Sequence, residues 1–100
     1  MPIDSDCDGF TSAALFINYL NKLFPHFAQS NIIYSVHTGK EHGILNIDRV
    51  PKDVKLVIAI DSSSNEYEVH KELVDAGIDV LVIDHHEAEK ISEYACVINN

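Results

Sequence analysis

One hundred residues, 46% hydrophobic and 23% charged, suffice for one small globular domain with a real core. A formal net charge of −9 repels polyanions, so surface charge alone does not suit this chain to tight nucleic-acid binding. No apolar run approaches the roughly 20 residues of a membrane span, and the acidic opening argues against a signal or transit peptide.

Cys7 and Cys96 stand at opposite ends of the chain. Two cysteines so far apart make neither a disulfide framework nor a zinc motif, and free thiols in a reducing cytoplasm are expected. The excess of acids fits either a solvated negative surface or a metal site, where bound cations reverse the local field. Their placement decides between the two.

The first cluster, Asp4-Ser5-Asp6-Cys7-Asp8-Gly9, stands where a first strand would end and the first helix begin. A helix is predicted over residues 11–24, with Leu15, Phe16, Tyr19, Leu20 and Leu23 at helical spacing. Pro25 closes it, because proline disfavours helix in the residue before it. Residues 32–36 read as a strand. The segment 38–53, holding Gly39, Gly43 and Pro51, is the least defined.

Residues 55–60 and 80–83 are nearly continuous apolar runs rich in β-branched side chains. Such runs indicate strands buried on both faces, as in parallel sheets. Between them, Asn65 followed by Glu68 reads as a capping box. The helix it opens would pack through Val69, Leu73 and Ala76 and stop at Gly77. A short helix after Glu87, with Ala88 and Ile91 facing inward, and a strand over 95–98 complete the series. The order β-α-β-(loop or short helix)-β-α-β-α-β predicts a single α/β domain over residues 1–100. Its core is a parallel sheet of about five strands, with right-handed crossovers and helices on both faces.

Parallel α/β sheets bind ligands beyond the carboxyl ends of their strands. Asp61 follows one predicted strand, Asp84-His85-His86 follows another, and the Asp4–Asp8 cluster follows the first. Three acidic elements therefore converge on one sheet edge. Each has a plainer reading: Asp61-Ser62-Ser63-Ser64-Asn65 suits a polar turn, and Asp84-His85-His86 a solvated one. Histidine with carboxylates is nonetheless a common donor set for divalent metals. The Asp4-x-Asp6-x-Asp8-Gly9 spacing also opens an EF-hand loop, but that loop needs glutamate at its twelfth position, where Leu15 stands. His26, His42 and His70 read as solvated. His37 follows a predicted strand and is a secondary candidate for substrate contact.

Three motifs in order carry a resemblance: Asp4-Ser5-Asp6-Cys7-Asp8-Gly9-Phe10-Thr11-Ser12-Ala13-Ala14, then Ile60-Asp61-Ser62, then Val82-Ile83-Asp84-His85-His86-Glu87. They resemble the DHH phosphoesterase superfamily, nearest its RecJ-like single-strand exonucleases, over essentially the whole chain. The resemblance implies a pair of divalent ions, usually manganese, with magnesium or cobalt as alternatives. Asp6, Asp8, Asp61 and His85 would be ligands, with Asp61 bridging the ions. His86 would face the scissile phosphate, and Asp84 would orient its neighbours. The family's usual histidine four residues before the first metal aspartate is Pro2 here, which implies one weaker ion or Asp4 as a substitute.

A further aspartate ligand and a substrate-gripping C-terminal domain are implied beyond Asn100, so the chain reads as an N-terminal fragment, expected to be inactive alone. The resemblance thus implies metal-dependent phosphodiester hydrolysis of single-stranded DNA by the full-length protein. Oligoribonucleotides, cyclic dinucleotides and polyphosphate are alternative substrates, and an inactive metal-binding scaffold is a third reading. Oligomeric state and degradation polarity are not encoded in these motifs.

Overall fold

Pro25 divides the N-terminal helical region in two. Helix α1 spans Cys7–Leu23, and α2 spans Pro25–Asn31 with the proline in its first turn. A residue before proline resists helix, while proline itself is preorganised for a helix start. The predicted stop is therefore also a start.

In a computed structural model covering residues 1–100, five strands accompany these helices. Strand β1, Pro2–Ile3, pairs in parallel with β2, Ser35–Val36. Strand β3, Leu56–Ile60, pairs in parallel with β4, Asp79–Asp84, which pairs in parallel with β5, Cys96–Asn99. The α/β parallel architecture stands, but the strands form a two-stranded and a three-stranded sheet rather than one. β1 packs beside β3, so the two sheets lie edge to edge.

The core lies under the larger sheet. Val57 and Ala59 of β3 stand in register with Val80 and Val82 of β4, and all four are buried. They pack with Leu73 from helix α3, Tyr67–Asp75, and with Ile44 and Ile78. A 3-10 turn, Ile47–Arg49, adds Ile47 within the segment that sequence left undefined. Gly77 takes φ +81 just beyond α3, the left-handed conformation that ends helices.

Four expectations require correction. The chain after Glu87 forms no helix before β5, and Ile91 is 78% exposed. Asn65 does not cap α3: its side chain instead holds the backbone of Glu87 and Glu89, tying down the loop after β4. Ala76 is exposed. The α1 stripe is not core either, since Leu15 is 74% exposed and Tyr19 and Leu23 are open as well; the buried contacts of α1 are Gly9 and Ala13.

Candidate metal centre

Parallel register brings the two strand ends together. Ile60 pairs with Ile83, so Asp61 and Asp84 leave β3 and β4 at the same level. The Asp61 N–H still donates to the Ile83 carbonyl at 2.7 Å, but Asp61 then turns to φ 63 and Ser63 to φ 79. Left-handed conformations at non-glycine residues cost energy and cluster at functional sites.

His85 Nε2 meets Asp61 Oδ1 at 2.8 Å. Ligand atoms of Asp61, His85 and His86 all lie within 4.8 Å of one another, within reach of one cation. One carboxylate and two imidazoles form a mixed oxygen–nitrogen donor set suited to manganese, cobalt or zinc. Burial raises the Asp61 carboxyl above its ordinary value, against the hydrogen bond and charge of His85, and nearby Asp6 pushes it the same way. A bound cation would relieve the burial and the neighbouring negative charge that disfavour the ionised Asp61 carboxylate.

Asp84 lies beneath this trio. Its Oδ1 accepts from His85 N at 2.8 Å, from His86 N at 3.2 Å and meets His86 Nδ1 at 2.7 Å; Oδ2 accepts from Ser64 N at 3.3 Å. Burial pushes the Asp84 carboxyl up, but these hydrogen bonds outweigh it and hold the group at about 2. The same bond to Asp84 raises the His86 imidazole. Asp84 thus orients the His86 ring, as carboxylates typically do for metal-site imidazoles, and holds His85 by its backbone N–H.

The N-terminal acids divide. Asp6 is the N-cap of α1, its Oδ1 accepting from Gly9 N at 2.7 Å. It forms a second candidate metal-holding group with Asp4 and His42. Asp8 sits exposed in the first turn of α1 and belongs to neither group. Buried Asp4 accepts from Gly43 N at 3.0 Å and meets His42 Nδ1 at 2.8 Å and His37 Nε2 at 3.5 Å.

Members of both groups line a cleft of about 330 Å³, formed by Asp4, His42, Gly43, residues 61–66, Asp84 and His86, with no hydrophobic side chain. The profile of the DHH family, N-terminal domain, matches residues 3–100. This chain belongs to the DHH family.

Two curated relatives of this DHH chain are 49% identical over 98 residues. One is the SPbeta prophage protein YorK of Bacillus subtilis (strain 168), the other its counterpart in Bacillus phage SPbeta; both are provisionally named single-strand DNA-specific exonucleases. The match covers 98% of this chain but 16% of each relative, so the chain spans about a sixth of their length. No solved structure matches. No helix is long and apolar enough to cross a membrane, and both cysteines are free and exposed.

Two histidines of this DHH domain escaped the sequence reading. His42 is not merely solvated but tied to Asp4, and His70 is fully buried between Ser63 and Ser92. The signal for His42 was its place between Gly39 and Gly43 in a polar loop. His70 gave none, because its partner Ser92 lies 22 residues away in the chain.

Proposed function

We propose that this chain carries the metal-binding part of a phosphodiesterase that hydrolyses single-stranded DNA in the full-length protein. The observation that carries this reading is the convergence of Asp61, His85 and His86 at the ends of two paired parallel strands, beside a cleft lined by no hydrophobic side chain. Asp6, Asp61 and His85 would hold divalent ions, with Asp8 added where the first turn of α1 closes in. Carboxylate oxygens suit manganese or magnesium and imidazole nitrogen admits cobalt, and manganese is the ion proposed here. When bound, a metal pair would lower the pKa of a water and stabilise charge on the phosphate oxygens.

The chain's own residues would do the rest. His86, its ring oriented by Asp84, would face the scissile phosphate. Ser62 and Ser64 would present polar groups along the cleft wall. The names of the two phage-type relatives favour single-stranded DNA over other phosphodiesters. The free thiols agree with a cytoplasmic setting.

Asp61→Ala in the full-length protein is expected to abolish manganese-dependent release of nucleotides from single-stranded DNA. Undiminished hydrolysis would overturn the assignment. Parallel assays on oligoribonucleotides, a cyclic dinucleotide and polyphosphate fix the substrate: preference for any of these over single-stranded DNA would replace the substrate named here. If the chain takes up no manganese in calorimetric titration, the scaffold reading prevails.

A further inference from the structure

A residue from a third strand joins the two turns that carry the candidate metal centre. Asn99 ends β5 in register with Asp84 of β4. The Asn99 side-chain nitrogen, Nδ2, donates to Ser64 Oγ at 2.8 Å and to the His86 carbonyl at 2.9 Å. A carboxamide nitrogen carries two hydrogens, and both are engaged here. The His86 carbonyl can only accept, so Nδ2 rather than Oδ1 must face it. Asn99 therefore bridges the turn after β3 to the turn after β4.

Both ends of the bridge lead to the site. Ser64 is buried, and its N–H donates to Asp84 Oδ2 at 3.3 Å, the longest contact that carboxylate makes. Holding Ser64 by its hydroxyl keeps this N–H in range of Asp84, the residue that orients the His86 ring. The second bond holds His86 by its own backbone, next to His85. Asn99 itself is exposed, as are Cys96 and Ile98 of the same strand, while Val97 is the β5 residue packed against the core. The Asn99 side chain thus adds little burial. What it supplies is the direction of two hydrogen bonds.

We propose that Asn99 is a positioning residue of the metal centre, setting the places of His86 and Asp84 through its two amide hydrogens. This role deepens the function proposed above and rests on that reading of the site. The residue type follows from the two acceptors. Aspartate has the same shape but no hydrogen to donate when ionised, and it would set a negative charge against the His86 carbonyl. Alanine loses both bonds and leaves the two turns tied only through Asp84.

Asn99→Asp and Asn99→Ala are compared with the wild type in the 100-residue chain, with Asn100→Ala as the control for the strand end. Each is followed by thermal melting, by calorimetric titration with manganese, and by amide hydrogen exchange without metal. In both Asn99 variants, exchange at the Ser64 and His86 N–H groups is expected to quicken about tenfold relative to the β3–β4 ladder. Manganese is expected to bind about tenfold more weakly, as is typical when a partner behind the ligands is removed. Asn99→Asp separates geometry from charge: an added carboxylate would by itself tighten a cation, so weaker binding reports misplacement. Asn100→Ala should leave both readouts unchanged. Folded Asn99 variants that melt earlier, yet keep wild-type exchange at Ser64 and His86 and wild-type manganese affinity, would overturn the proposal and confine Asn99 to holding the strand end. Should neither variant fold, the wild type decides: the Asn99 Nδ2 protons are expected to exchange at least tenfold more slowly than those of Asn100, and equal rates remove the bridge. A wild type that takes up no manganese would instead sink the phosphodiesterase reading, and exchange in the metal-free chain would still decide the role of Asn99.

Discussion

His70 Nε2 lies 3.1 Å from Ser63 Oγ in the interior of the domain, and its Nδ1 lies 2.9 Å from Ser92 Oγ. One imidazole thereby ties the turn that carries Asp61 to the segment that leads into β5. Because Ser63 sits at φ 79, that turn needs such an anchor. Replacing His70 with leucine keeps most of the volume but strands two buried hydroxyls. A loss of about 2 kcal/mol is expected, measured by urea unfolding at pH 7.5. His70→Leu should also weaken manganese binding, since Asp61 sits two residues from the released serine.

The same histidine gives the fold a pH dependence. Burial lowers the His70 pKa below its ordinary 6.5, with the charge of Glu66 opposing. The unfolded chain therefore takes up a proton near pH 6.5 that the folded chain refuses, and stability falls as pH drops through that value. The urea midpoint of the wild type is expected to fall further between pH 7.5 and 5.5 than that of a protein without His70, the raised His86 imidazole opposing the fall in both. His70→Leu, lacking the group, should show a flatter profile. An equal decline in both proteins would remove His70 as the cause.

Much of this architecture was legible in the chain because its strongest signals are local. The apolar runs that became β3 and β4 pointed to buried parallel strands, and paired in register these bring Asp61 and Asp84 out at one edge. What failed depended on partners remote in sequence. Asn65 and Glu68 have capping-box spacing, yet Asn65 spends its side chain on Glu87 and Glu89, 22 and 24 residues away. The spacing in α1 was read correctly as helix and wrongly as core, because periodicity defines a face without saying what covers it. No element of this chain covers Leu15 or Tyr19. His42 met Asp4 across 38 residues, a pairing visible only once β1 and β2 align.

The Asp84–His86 pair should be directly observable. In metal-free protein the His86 imidazole is expected to titrate above 6.5, chiefly through its hydrogen bond to Asp84, and Asp84 near 2. A raised histidine stabilises the fold below pH 6.5, and that contribution is lost as pH rises through the folded value. A depressed aspartate stabilises above its ordinary 3.8, and that contribution is lost as pH falls toward about 2. Asp84→Asn should return His86 toward its ordinary titration, followed by ring-proton NMR. An unmoved midpoint would show that Asp84 does not govern the ring.

Glu66 should control the His42 loop. Its carboxylate accepts from Ile44 N and Leu45 N, and a Cβ added at Gly43 would collide with the same carboxylate. Gly43 also sits at φ +76, so alanine there is strained whatever space is made. Glu66→Ala is expected to speed hydrogen exchange at Ile44 and Leu45 at least tenfold, as about 1.4 kcal/mol of local stability is lost. Gly43→Ala should destabilise the domain by about 1–2 kcal/mol.

Gly9 is where the first motif meets its strand. A Cβ there would lie 2.9 Å from Asp4 Cβ and still closer to the Asp4 carbonyl oxygen, a backbone atom that cannot rotate away. Alanine would normally favour a helix, by roughly 1 kcal/mol over glycine. At this position the collision wins, because α1 must withdraw from β1 to admit the methyl, and overpacking of this kind costs about 1–3 kcal/mol. Withdrawal would carry the Asp6 cap and Asp8 away from Asp61. Gly9→Ala is therefore expected to lower the melting temperature and to weaken manganese binding together. Thr11→Ala, on the exposed side of the same helix, should leave manganese affinity unchanged. Equal effects of the two substitutions would mean that the close approach of Gly9 to Asp4 does not set the metal geometry.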